Sequence, residues 1–205
     1  AEVENAYVLY NLGNAYYRAG KLGNAIAAYR RAEILMPRSE ALRRNLALAR
    51  EGAPGGGTAP KPHPAAAAFF FWHYALSLAE VETLAAFAFA LCMVALSVRL
   101  FVPERHRNRL RTAGIALGVV AAVFALSSLV KLGSSELDGA VVVAEASVRS
   151  EPAGRAVELH VLREGAEVLS LGSSGAWTRI EWGTGNRGWV ESSALDFLAQ
   201  PPAAG

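Results

Sequence analysis

Cysteine is nearly absent from this chain of 205 residues, and the usual clusters of catalytic or metal-ligating side chains are not to be found in it. Cys92 stands alone, so no intramolecular disulfide can form and the redox compartment is not readable from cysteine. The four histidines, His63, His73, His106 and His160, are scattered without ligand spacing, which argues against a metal site. No nucleophile–base pair can be placed, no carboxylate pair is set for a cleft, and no glycine-rich phosphate loop stands at a strand–helix junction. Gly55 to Gly57 run into prolines and read as linker. Neither a catalytic residue nor a cofactor is expected. Dense basic charge is also missing: residues 1–51 hold eight Lys/Arg against five Asp/Glu, and residues 136–198 hold five against ten. Nucleic acid is therefore not an expected partner.

Charge is scarcest in the middle. From Thr83 to Val102 the only charged residue is Arg99, and from Thr112 to Val130 there is none. Twenty helical residues rise about 30 Å, the thickness of a bilayer's hydrocarbon core. The two runs are read as membrane-spanning helices, and membrane lipid as their surroundings; two buried helices of a soluble bundle are the rival reading. A hydrophobic content of 53% and a mean hydropathy of +0.24 suit a membrane protein with soluble parts. The segment between the runs is too short to hold a domain, so a hairpin is predicted with both ends of the chain on one side. Arg99, Arg105, Arg107, Arg109 and Arg111 crowd this turn, whereas the outer flanks offer Lys61, Lys131 and Arg149. Retention of basic short loops in the cytoplasm places both ends outside. The sequence opens at Ala1 with no initiator Met and no apolar leader, so an exported N-terminal part implies either a signal segment removed upstream or a sequence trimmed at its start. Gly114 and Gly118, four apart, allow close helix approach, either within the hairpin or between two copies.

Before the runs, residues 6–39 place Leu9, Leu12, Gly13, Tyr16, Ala25, Tyr29, Ala32 and Pro37 at the spacing of a 34-residue helix–turn–helix repeat. This resembles a tetratricopeptide repeat. Gly13 and Ala25 are small where helices cross, Leu12, Tyr16 and Tyr29 fill the space between, and Gly20 and Pro37 end the helices. One further helix follows from Glu40 to Arg50, the half repeat that caps such stacks. So small a core calls for support from upstream residues or a partner. The resemblance implies a peptide groove lined by Tyr7, Tyr10, Asn14, Tyr17 and Arg18, with Arg44 and Asn45 from the next helix. Asn14 and Asn45 match carboxylate-binding positions of the clamp subclass, but Tyr10 replaces its lysine. Side chains that merely solvate a packing module are the other reading.

The segment from Glu51 to Pro64, with three consecutive glycines and four prolines, is expected to be a tether. The segment Ala65 to Leu78, dense in aromatics, reads as a short interfacial helix, or as part of one continuous helix from Ala65. Ser77 and Glu80 have capping-box spacing and would start the first spanning helix near Leu78.

After Gly139 the pattern turns to short β-type runs, with Ala140–Val143, Ala166–Leu171, Trp177–Trp182 and Gly188–Val190 as candidate strands. Ser147 to Pro152, Leu162 to Gly165, Trp177 to Ile180, Gly188 to Val190 and Leu195 together resemble the bacterial SH3 domain. That implies a small barrel with Val148, Leu162, Val168, Ile180, Val190 and Leu195 in its core, and Gly165 and Gly188 in tight turns. Alternation puts Trp177 and Trp189 on the opposite face. There they either contact a ligand such as peptidoglycan or cover a small core.

The predicted architecture is thus a multi-domain membrane protein: all-α repeat, two-helix transmembrane hairpin, all-β SH3-like barrel. Its divisions are a repeat with capping helix (1–50), linker (51–64), interfacial segment (65–79), first span (80–102), cytoplasmic basic loop (103–111), second span (112–132), linker (133–139), barrel (140–198) and tail (199–205). This order resembles the membrane proteins of bacterial aerotolerance (Bat) operons, of the BatE type. The resemblance implies a non-enzymatic, two-pass scaffold in the bacterial inner membrane with both soluble modules in the periplasm. Its implied partners are von Willebrand A-domain membrane proteins and a MoxR-type ATPase. A tether or sensor holding peptidoglycan through the SH3 domain is the alternative.

Overall fold

The computed structural model describes residues 5–56, 70–132, 139–183 and 185–199. The described residues fall into two compact units. Residues 5–56 and 139–199 form one, and 70–132 the other.

The first unit opens with three helices, α1 (Ala6–Arg18), α2 (Leu22–Leu35) and α3 (Glu40–Gly52). Asn5 and Ser39 start α1 and α3 by accepting from the backbone N–H groups of Tyr7 and Leu42, the role a short polar side chain performs at a helix start. Gly20, at φ +74°, lets the chain turn out of α1. Tyr29, Ile26, Leu42 and Leu46 are fully buried between the helices with Ala25 and Ala32. A Cβ on Gly13 would sit 2.5 Å from the Tyr29 ring, so the small residue expected there is required. Leu12, expected in this core, is 38% exposed, and Leu9, three residues earlier on α1, is the buried leucine.

Seven short strands follow: β1 (Gly139–Val142), β2 (Ala146–Arg149), β3 (Glu158–Leu162), β4 (Glu167–Ser174), β5 (Trp177–Trp182), β6 (Asn186–Glu191) and β7 (Leu195–Phe197). They form one antiparallel sheet in the order β3-β2-β6-β5-β4-β1-β7. All six apolar residues expected at its centre are buried there: Val148, Leu162, Val168, Ile180, Val190 and Leu195. Gly165 does occupy a turn, at φ +90°. Gly188 does not. It lies inside β6, where an added Cβ would come within 2.4 Å of Val148 Cγ1.

The helices and the sheet are not separate modules on a string. Val141 of β1 and Leu198 belong to the same buried cluster as Ile26, Ala27 and Leu46. Glu164 Oε1 accepts from Gly23 N at 2.8 Å, capping α2 from the sheet side, since Lys21 at its own N-cap provides no side-chain bond. Glu167 is held by Arg30 at 3.1 Å and by Arg50 at 2.6 Å, and Arg31 donates to the Phe197 carbonyl and pairs with Asp196. The support that one and a half repeats lack is supplied here by the chain's own C-terminal sheet. Residues 51–56, expected as part of a free tether, are docked as well: Ala53 is buried and Gly55 N donates to Glu164 O at 2.8 Å. The remainder of that expected linker, 57–64, lies outside the described residues, as do 65–69 and 133–138.

The second unit consists of α4 (Phe71–Ala75), α5 (Leu78–Val98) and α6 (Glu104–Leu132). The chain breaks at Leu76 in extended conformation, so the aromatic helix is separate from α5. Ser77 and Glu80 form the expected capping box in both directions. α5 and α6 pair as a hairpin. A Cβ on Gly114 would lie 2.9 Å from Leu96, and one on Gly118 would lie 3.5 Å from Cys92 Sγ. The close approach is at Gly114, whereas Gly118 makes an ordinary contact with Cys92. The connector is shorter than expected because α6 begins at Glu104, directly after Pro103. Proline just ahead of a helix and an acid in its first turn both favour that start, and arginine is a good helix former. Arg105, Arg107, Arg109 and Arg111 consequently stand on helix rather than in a loop.

Both helices are long and apolar enough to cross a membrane, with mean hydropathies of 2.1 and 2.3 over their most apolar windows. Only 17% and 22% of those windows is buried within the protein, unlike the core helices of a soluble bundle.

Candidate functional site

The helix crossing that buries Tyr29 also builds a cleft. Asn14 is on α1 and Asn45 on α3, and the buried Tyr29 of α2 sends its hydroxyl up between them. That hydroxyl donates to Asn14 Oδ1 at 2.8 Å, and Asn45 Nδ2 donates to the same oxygen at 2.9 Å and to Tyr10 OH at 3.0 Å. Asn14 Oδ1 thus has both lone pairs filled, which fixes its amide and leaves its NH2 as the donor for a guest. Burial pushes the Tyr29 hydroxyl pKa above its usual 10, so it stays a proton donor at neutral pH. The Tyr10 and Tyr29 rings, 6.1 Å apart and tilted, back the network.

Around it lies a cleft of about 190 Å³ lined by Asn14, Tyr17, Arg18, Tyr29, Asn45 and Leu48. Four of the expected groove residues meet there: Asn14, Tyr17, Arg18 and Asn45. Tyr10 supports the cleft through its hydroxyl without lining it. Tyr7, 72% exposed, and Arg44, also exposed, do not line it. Tyr29 and Leu48 were missed. Tyr29 reads as pure core because its ring is, although its hydroxyl is not. Leu48 follows Asn45 by three residues, the helical spacing that puts both on one face, and that spacing was the available signal. Chemically, the cleft offers amide donors, one guanidinium and an apolar rim, and no group poised for bond making.

On the sheet, Trp177 and Trp189 are half-buried and stand on the face opposite Thr178, Ile180 and Val190. Pairing of Trp177 with Glu191 and of Arg179 with Trp189 makes the two tryptophans diagonal neighbours across β5 and β6. Arg149 pairs with Trp189 from β2. One aromatic contact had no sequence signal: His160 stacks on Trp182 with ring centroids 5.9 Å apart and planes 12° apart. It depends on bringing β3 to the sheet edge, which no local pattern announces.

In the second unit, Arg99 is the C-cap of α5, and Arg105, Arg107, Arg109 and Arg111 are all exposed along the first turns of α6. At the other end of the hairpin, Trp72 meets Phe124 edge to face at 6.5 Å and His73 Nδ1 lies 2.8 Å from Ser127 Oγ. Among the described residues no group of three His, Cys, Asp or Glu side chains could hold a metal ion.

Comparison with known proteins identifies a tetratricopeptide repeat at residues 6–39. These are the residues of α1 and α2 with their turn. No curated protein and no solved structure matches the chain.

Proposed function

We propose that this protein is a non-enzymatic scaffold held in a membrane by its two-helix hairpin, and that its repeat receives a peptide segment of another protein. Tetratricopeptide repeats are protein-interaction motifs, and the repeat at residues 6–39 is the coarse basis of this reading. The observation that carries it further is the cleft between α1 and α3. Its polar floor is pre-set by four mutually bonded side chains, so a guest meets an ordered surface and little freedom is lost on binding. Amide donors beside Arg18 fit a peptide carrying a carboxylate, and Leu48 and the Tyr17 ring supply apolar contact.

Exposure of Phe87, Phe89, Ile115 and Leu126 on α5 and α6 supports lipid as their environment. With the arginines held in the cytoplasm, both parts of the first unit face the periplasm. The likeness to Bat proteins supplies candidate partners, von Willebrand A-domain membrane proteins and a MoxR-type ATPase. A photo-crosslinking residue at Tyr17 tests the reading in membranes. A protein adduct weakened by Asn45→Ala and Arg18→Ala is expected; no protein adduct, or one indifferent to both substitutions, contradicts it.

The sheet face favours a second reading, in which an SH3-like barrel holds peptidoglycan. Two diagonal tryptophans beside Arg179 and Arg149 make an aromatic platform of the kind that stacks on flat or sugar-like ligands. Co-sedimentation of the full chain with peptidoglycan, lost in Trp177→Ala, is its expected result. Absence of co-sedimentation leaves the scaffold.

A further inference from the structure

The two hairpin helices differ in length, with 21 residues in α5 and 29 in α6. Eight extra residues add about 12 Å of helix. Packing shows where that excess lies. Gly114 sits against Leu96, near the end of α5, and Cys92 Sγ donates to Gly114 O at 3.1 Å. Residues 104–111 therefore run on past the end of α5, and they carry the arginines. The remaining stretch, Thr112 to Leu132, is about 31 Å long, the thickness of a hydrocarbon core.

Arg105, Arg107, Arg109 and Arg111 occupy alternate positions, and a helix turns about 100° per residue. Successive guanidinium groups thus leave about 200° apart, with Arg105 and Arg109 on one flank and Arg107 and Arg111 on the other, forming a two-sided collar rather than a stripe. From first to last they span about 9 Å along the axis, close to the roughly 5–8 Å of headgroup layer on each side of a bilayer. Arg99 adds a fifth charge, and Glu104 is the only acid from 99 to 111. Beside the collar lie Leu100 and Phe101, 72% and 88% exposed. At the far end of the hairpin Glu80 and Glu82 oppose Lys131, so the cationic excess is confined to one end.

Resting on the membrane reading above, we propose that this collar binds the phosphate groups of anionic phospholipids. Guanidinium pairs with phosphate through two parallel donors, and a juxtamembrane basic cluster gathers anionic lipid. The exposed Leu100 and Phe101 side chains offer the acyl chains a contact that a soluble phosphate could not use. A nucleic acid would find the same cations but has no use for the two exposed apolar side chains beside them.

The test reconstitutes the full chain and its R105Q/R107Q/R109Q/R111Q variant in phosphatidylcholine vesicles containing traces of spin-labelled phosphatidylglycerol or phosphatidylcholine. The ratio of the two labels immobilised at the protein is read by electron paramagnetic resonance. Each cation engaged with an anionic surface is worth roughly fivefold, so a several-fold preference for phosphatidylglycerol is expected in the native chain. It should fall several-fold in the variant, which keeps only Arg99 of the five, and shrink sharply in about 1 M salt. Equal immobilisation of both lipids by the native chain overturns the proposal, as does a preference that survives the four substitutions or high salt. Displacement of labelled phosphatidylglycerol by a short RNA at equal charge would reassign the collar to nucleic acid. Flotation with pure phosphatidylcholine vesicles keeps the two claims apart: a chain that does not float refutes the membrane reading itself, and one that floats without lipid preference refutes only the collar.

Discussion

Replacing Glu167 by Gln should loosen the helices from the sheet, and the structure sets the size of the effect. Glu167 takes Arg30 at 3.1 Å and Arg50 at 2.6 Å, and the three side chains retain 17%, 17% and 18% of their exposure. Removing one partner of a fully buried pair costs about 3–5 kcal/mol, because the other charge is left without compensation. Two features reduce that figure here. The three side chains stop short of full burial, although Arg30 Nε and Arg50 Nη2 themselves are buried, and Arg30 keeps Glu33 as a second partner. A loss of about 2 kcal/mol is expected, which for a unit of this size lowers the melting midpoint by roughly 8–16 °C. The assay is thermal unfolding of the full chain in detergent, followed by tryptophan fluorescence and by circular dichroism at 222 nm. With Trp72 replaced by Phe, Trp177, Trp182 and Trp189 report on the sheet, whereas the ellipticity lost beyond that of the detergent-held hairpin reports on α1 to α3. The two probes should melt together in the native chain and together, earlier, in Glu167→Gln. A shift below about 1 °C, or separate melting of helix and sheet in the native chain, would refute the claim that they share a core.

Three further outcomes follow from the same geometry. Val141→Ala, at a fully buried position where the sheet meets the helical core, should cost about 1–3 kcal/mol and move both probes equally. Burial raises the Tyr29 pKa above its unfolded value, so its contribution is intact below about pH 10 and lost as pH climbs through the folded pKa. Tyr29→Phe should therefore flatten part of the alkaline fall in stability, read by denaturant titration between about pH 9 and 11. Gly114→Leu forces a side chain into the space where a Cβ already meets Leu96 at 2.9 Å. It should separate the ends of α5 and α6, seen as a lengthened distance between spin labels at the exposed neighbours Val98 and Thr112.

Local patterns made most elements legible. Trp177–Trp182 is a strand with the bounds its alternation gives, and Ser77 with Glu80 starts α5 as their spacing requires. The family resemblance read in the sequence named six buried residues of the sheet without knowledge of its order. What stayed hidden depends on residues far apart in sequence whose types are ordinary on any surface. Glu164 capping α2 at Gly23 is an example, since nothing marks a glutamate in a turn as a helix cap for residues 141 positions away. The docking through Glu167, Arg30 and Arg50 is another. A tight turn at Gly188 is what the SH3 resemblance implies, although the residue pattern puts Gly188 in a candidate strand, and close approach of Val148 is what excludes a side chain there. In the cleft, Asn14 and Asn45 were legible from repeat spacing. Their bond to each other through one oxygen was not, because it requires the helix crossing itself.

Orientation decides which molecules the cleft and the sheet face can meet, so accessibility to an impermeant thiol reagent in intact spheroplasts is the most direct measurement. With Cys92 replaced by Ser, single cysteines are placed at Asn108, Asn5 and Ser193. Labelling at Asn5 and Ser193 with protection at Asn108 until the membrane is opened is the result this account predicts. Labelling at Asn108 with both other positions protected would contradict it.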